Sequence, residues 1–146
     1  MSHPPTPPVP GLGPAVAVNP PALPGAAAER FRYSFGVRTG QVLWVSGQVA
    51  LNSGGEIVGG EDVEAQTTQV FENLSAVLEA AGGTLADVVS TTTYMTDRSH
   101  SAGINAVRTR YLIGPTPPTS TLLVVAGLAR PELQVEISAI AVLGVN

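Results

Sequence analysis

The sequence predicts an α+β domain, a mixed sheet with two helices packed on one face. Three observations carry this. β-branched and alternating runs recur along the chain, two segments switch to helical periodicity, and the break residues suggest hairpins at both ends. At 146 residues and 44% hydrophobic content the chain makes one ordinary domain.

Met1 to Pro24 holds nine of the thirteen prolines. Such a segment cannot donate a regular hydrogen-bond ladder, so residues 1–24 read as an extended or disordered leader, with Val16 to Leu23 approaching the domain. A ligand for a proline-recognition module is the alternative. The domain proper is expected over residues 25–146, with its pattern starting near Phe31. Phe31 to Val37 and Gln41 to Gly47 read as two strands joined at Thr39-Gly40. Asn52 to Gly60 is a glycine-rich polar loop with room for one short strand.

From Asp62 the period changes. Val63, Val70, Phe71, Leu74, Val77, Leu78 and Ala81 form one apolar helical stripe, begun by acidic Asp62 and Glu64 and stopped by Gly82-Gly83. Val88 to Thr96 is a β-branched strand. Asp97 and Ser99 can cap a second helix carrying Ile104, Val107, Tyr111 and Leu112, closed by Gly114-Pro115. Thr121 to Ala126 and Leu133 to Leu143 are the last strands, with a turn around Arg130-Pro131 between them.

Composition excludes several function classes. The net charge of −4 and pI near 5.0 argue against nucleic-acid binding by phosphate neutralisation. All seven basic residues are arginines, so no lysine can form a Schiff base. There is no cysteine, and His3 and His100 are too few for a histidine-rich metal site. No cofactor or metal is expected. No apolar run has the length of a membrane span and no signal-peptide pattern is present, so a cytoplasmic protein without membrane partners is expected. Charged residues are only 12%, too few for so small a chain to leave all its surface in water; part of it should be covered by copies of itself.

Candidate chemistry centres on the last strand. Leu133, Val135, Ile137, Ala139 and Ala141 share one face, while Gln134, Glu136, Ser138, Ile140 and Val142 share the other, which begins polar and ends apolar. Glu136 would lie at the margin of a covered surface, where desolvation raises a carboxyl pKa and suits it to proton transfer. An exposed or arginine-paired glutamate is the plainer alternative. Ser46-Gly47 places a hydroxyl beside a glycine at a strand end, which suits either ligand approach or a β-bulge. Tyr33 can donate from a pocket rim or be buried with a satisfied hydroxyl.

Taken in order, several segments resemble the RidA/YjgF family of reactive-intermediate deaminases. They are Tyr33-Ser34, Val45-Ser46-Gly47-Gln48, Gly59-Gly60, Glu64-Ala65-Gln66-Thr67, Glu72-Asn73-Leu74 and Leu78-Glu79-Ala80-Ala81-Gly82. Asp87-Val88-Val89, Thr91-Thr92, Thr96-Asp97, Asn105 and Val135-Glu136-Ile137 complete the set. The resemblance implies a chorismate-mutase-like architecture and a homotrimer with a central barrel, outer helices and three clefts between subunits. It also implies cofactor-free hydrolysis of imines or enamines. Glu136 then matches the glutamate that positions or activates water. Ser46 and Gly47 match the Ser-Gly pair, Tyr33 the cleft tyrosine and Asn105 the helix asparagine.

One position departs. The family usually reads Pro-Ala-Arg-Ser where this chain has Pro117-Pro118-Thr119-Ser120, so Thr119 stands at the carboxylate-clamping arginine. Losing that charged grip inside a cleft costs about 2–5 kcal/mol, or roughly 30- to several-thousand-fold in binding. Three readings follow. The first is a small-molecule enzyme whose substrate, an imine, enamine or activated carbonyl, lacks the α-carboxylate, with Thr119 and Ser120 offering neutral contacts. The second keeps ordinary 2-imino acid deamination, with Arg32 or another arginine supplying the charge. The third is a trimeric binding or chaperone-like protein without turnover.

Overall fold

The computed structural model describes residues 12–144, so the most proline-dense part of the leader, with His3, lies outside the described residues. In chain order the elements are β1 (Val16–Val18), α1 (Gly25–Phe31), β2 (Gly36–Thr39), β3 (Val42–Gln48), α2 (Val63–Ala80), β4 (Val88–Met95), α3 (Ser101–Tyr111), β5 (Thr119–Val124) and β6 (Val135–Val142). The α+β expectation holds: six strands form one sheet in the order β1-β2-β3-β6-β4-β5. All pairings are antiparallel except β4 with β5, which run parallel with α3 between them.

Both main helices form where the pattern places them. Asp62 caps α2 by accepting from the N–H groups of Glu64 and Ala65, and Gly82, at φ +86°, takes the left-handed turn that ends it. The α2 stripe of Val70, Phe71, Leu74, Val77 and Leu78 packs on Leu43 and Val45 of β3 and Val135, Ile137, Ala139 and Ala141 of β6. Ile104 and Val107 bring α3 into the same core. The opposite sheet face is uncovered in a single chain. Trp44 is 44% exposed there, and Leu122, Leu123 and Val124 of β5 are all exposed. No helix among the described residues is long and apolar enough to cross a membrane.

Three expectations are corrected. Phe31 to Val37 is not one strand: Ala26, Ala27, Ala28, Glu29 and Arg30 are strong helix formers, so Phe31 ends α1 and the strand begins only at Gly36. Arg32 makes the reversal at φ +57°. Second, the fold reaches back before residue 25, because β1 pairs with β2 and Val18 and Leu23 are buried. Third, β5 and β6 form no hairpin. β4 lies between them, pairing with both.

Two buried amides on α2 tie the helix to the loops at the sheet end. Gln66 donates to the carbonyls of Gly60 (2.7 Å) and Glu132 (2.9 Å) and accepts from the Gln134 N–H (2.9 Å). Asn73, two turns on, donates to the carbonyls of Val49 (3.0 Å) and Leu51 (2.9 Å). Gln66→Leu strands those groups without partners at a site that is fully buried. It should destabilise the fold by about 3 kcal/mol, measured as a lower urea midpoint with an unchanged slope.

Candidate active site

Glu136 lies on β6 with its carboxylate over Gly47 of β3. A register shift between Val45 and Gln48 makes a β-bulge there, since Ser46 and Gly47 on β3 stand opposite the single residue Ser138 on β6. The β-bulge reading of Ser46-Gly47 holds. A Cβ on Gly47 would overlap the carboxylate, coming to 2.8 Å from Glu136 Cδ and 2.9 Å from Cγ. Only glycine leaves the space in which this side chain lies.

The carboxylate borders two adjoining cavities. One, of about 530 Å³, is lined by Phe31, Tyr33, Ser46, Gly47, Val49, Leu51, Arg130, Leu133 and Glu136, with Ala27 and Ala129. The other, of about 300 Å³, is lined by Tyr94, Val125, Gly127, Leu128 and Ser138 together with Gly47 and Glu136. Tyr94 is the direct cross-strand neighbour of Glu136. Among the described residues nothing hydrogen-bonds or ion-pairs with the carboxylate. Half-burial without compensation pushes its pKa above the ordinary carboxylate value. A larger cavity, about 600 Å³ between the Asn19 to Leu23 segment and α1, holds as its one carboxylate the exposed Glu29, and offers no such poised acid.

The other expected residues divide into two groups. Tyr33, Ser46 and Gly47 join Glu136. The Ser46 hydroxyl donates to the Ser34 carbonyl at 2.6 Å, so its proton is committed to holding the bulge. Tyr33 is exposed at the rim, edge-on to Phe35. Asn105, Thr119 and Ser120 are exposed and line neither cavity. Thr119 pairs with Ser90, whereas Tyr94, opposite Glu136, pairs with Leu123. The register thus separates Thr119 from Glu136 by about 16 Å in one chain. Arg108 donates to the Thr91 hydroxyl (2.9 Å), which donates to the Thr119 carbonyl (3.2 Å), so a cation does stand behind Thr119. Arg32 lines neither cavity.

Sequence reasoning missed Phe31, Tyr94 and Arg130. Phe31 was hidden by the misplaced strand, and Arg130 by its reading as a turn residue. Tyr94 could have been found from the alternation of Val88 to Thr96, had its partner strand been known.

The cradle has a direct test. In Gly47→Ala the flexible Glu136 side chain must swing out, so the fold should survive with a loss of about 1 kcal/mol or less. The Glu136 pKa should then fall toward the ordinary carboxylate value, followed by carboxyl-carbon NMR titration of wild type and variant. The raised pKa also has a consequence for stability. Because the folded protein holds this proton more tightly than the unfolded chain, the stability contribution of Glu136 falls as pH rises from 4.5 through the folded-state pKa. Glu136→Gln should therefore gain stability relative to wild type at neutral pH and not at pH near 4, read from urea midpoints at both.

Comparison with known proteins agrees with this architecture. A family model described as endoribonuclease L-PSP matches residues 24–143. A RutC family protein of Pyrococcus horikoshii is 40% identical over 110 residues, 75% of this chain and 85% of the relative. The crystal structure of the Rid family protein YyfA from Yersinia pestis superposes with a TM-score of 0.82 at 30% identity, covering 89% of this chain and all of that one. RidA from an Antarctic Psychrobacter superposes with a TM-score of 0.79 at 34% identity, over 88% of this chain and 99% of that one. Sequence match and fold together make this chain a member of the RidA/YjgF family, the group that the endoribonuclease L-PSP model describes.

Proposed function

We propose that the protein is a cofactor-independent enzyme that hydrolyses a small imine, enamine or activated carbonyl compound, with Glu136 as its proton-handling group. The observation that supports this most directly is a half-buried carboxylate with no partner among the described residues, held over Gly47 between two cavities. A structural glutamate in such a place would be paired, because an unpaired one costs stability.

The chemistry is that of carbinolamine formation and collapse. Glu136 accepts a proton as water adds to the carbon of the C=N bond. With the nitrogen of the C=N bond protonated at the start, Glu136 returns the water proton to nitrogen, then takes the proton of the carbinolamine hydroxyl as the C–N bond breaks and C=O forms; that last proton leaves with the ammonia or amine as its ammonium. An enamine first takes a proton on carbon to become the imine. The apolar wall of Phe31, Val49, Leu51 and Leu133 receives the organic part of the substrate. The description of the matching family names a ribonuclease, but net charge −4 and seven basic residues in the chain favour a small molecule over RNA.

The cleft is completed by neighbouring copies in a trimer. Support comes from exposed Trp44 and Leu123 on the sheet face away from the helices, from exposed Leu122 and Val124 on the edge strand β5, and from the register that separates Thr119 and Ser120 from Glu136 within one chain. Thr119 of one copy then faces Glu136 of another and offers a neutral hydrogen bond. Substrates that depend on a charged grip at that point are disfavoured.

Two assays test this reading. Glu136→Gln should lower kcat/KM on a neutral imine by about a hundredfold or more, and should remove a pH-rate ionisation lying above the ordinary glutamate value. Retention of full activity by Glu136→Gln would sink the mechanism. Ammonia release from freshly generated 2-aminoacrylate should be weak in the wild type and rise in Thr119→Arg. Strong wild-type release with no gain in the variant would restore the ordinary 2-imino acid reading.

A further inference from the structure

The cavity beside Glu136 contains a second charged side chain. Among the residues lining the 530 Å³ space, Arg130 and Glu136 alone carry charge, one of each sign, and the rest of the wall is neutral. They are not neutralising one another, because the ion pair among the described residues is Arg110 with Glu64, and Arg130 has none. Nor does Arg130 hang loosely. Its Nη1 donates to the Gly55 carbonyl at 3.0 Å.

That carbonyl belongs to a stiff loop. The Asn52 side chain accepts from the N–H groups of Gly54 and Glu56, both at 3.0 Å, and the Gly55 N–H donates to the Asn52 carbonyl at 3.0 Å. Gly55 sits at φ +76°, which fixes the direction of the following backbone. Leu51 and Ile57 close the loop base with a bridge, and Asn73 holds the Leu51 carbonyl from α2. On the other side, Gln66 holds the backbone at Glu132 and Gln134, just beyond Arg130. Both supports of the guanidinium are therefore tied to the same helix. One of its five N–H donors is used in positioning, and the remaining donors are left for a ligand.

We infer that Arg130 is a specificity-determining residue of this cleft, taking a carboxylate carried by the substrate on the loop side of the cavity. The inference rests on the proposed reaction at Glu136 and adds a substrate class to it. In a 2-imino acid the carboxylate is one bond from the reacting carbon. Arg130 instead enters from the loop wall, too far from Glu136 to ion-pair with it. The fitting substrate therefore carries its carboxylate on a short apolar spacer, laid along Leu51 and Leu133. A chain with few charges thus keeps anion recognition although Thr119 offers none.

The test uses 4-oxopentanoate and its methyl ester, a carbonyl compound with and without the charge, titrated calorimetrically into the full-length protein. The wild type should bind the acid roughly tenfold more tightly than the ester, the effect of one charge-assisted hydrogen bond. Arg130→Gln should abolish the difference. Arg130→Lys, which keeps the charge, should restore part of it, an outcome that mere anchoring of the loop would not produce. Arg110→Gln, at an exposed arginine that does not line the cavity, should leave the preference intact. Equal binding of acid and ester, binding of neither, or a preference that survives Arg130→Gln overturns the inference. Its failure is separable from failure of the reaction. Loss of turnover in Glu136→Gln with no Arg130 effect removes the specificity claim alone, and the reverse pattern removes the reaction alone.

Discussion

The geometry of the cleft depends on two side-chain amides buried on one face of α2. Gln66 and Asn73 are two turns apart, so they point the same way into a core that is otherwise mostly apolar. A loop next to a sheet has backbone groups with no ladder to join, and burying them unpaired is costly. Gln66 takes up Gly60, Glu132 and Gln134, while Asn73 takes up Val49 and Leu51. Gln69 donates in turn to the Asn73 side-chain oxygen at 2.8 Å, fixing the orientation of that amide. The two segments so held are the walls of the Glu136 cavity. Both amides therefore act on the cavity through its walls and line no part of it themselves.

On this frame the electrostatics of the site are simple. The β3 bulge brings Gly47 under Glu136, and the missing side chain leaves room for a half-buried carboxylate whose charge no group among the described residues answers. Burial raises the Glu136 pKa, so the fold favours the protonated form of that group more than the unfolded chain does. A carboxyl whose proton affinity is raised toward neutrality can both accept and return a proton within one turnover.

The charge pattern around the cleft is sparse and divided. Arg108 is held against Thr91, with the Thr119 backbone next in the chain of hydrogen bonds, and burial lowers its pKa. Arg130 stands on the far loop, oriented by Gly55. A threonine at position 119 thus leaves a neutral edge on β5, a strand whose apolar residues Leu122, Leu123 and Val124 are exposed in a single chain. That arrangement is intelligible if the outward face meets another copy and the site is assembled from both.

The sequence by itself determined the parts governed by local rules. The α2 stripe with its Asp62 cap and glycine stop, the β-branched β4 and the alternating β6 each follow from periodicity and turn chemistry acting over a few residues. Glu136 and Gly47 were legible as single residues for the same reason, one from strand alternation and the other from a glycine at a strand end. Helix α1 was equally local and was overlooked, because the alternation after Phe31 masked an alanine-rich run just before it. Pairing was not local. Whether β5 joins β6 or β4 depends on which strand buries its face and edge best against distant partners, and no short-range pattern encodes that. Tertiary structure alone therefore brought Tyr94 beside Glu136, gathered Arg130 into the same cavity and separated Thr119, Ser120 and Asn105 from it. The placement of charges in a cleft is a property of register and loop anchoring, which arise only when segments far apart in the chain are packed together.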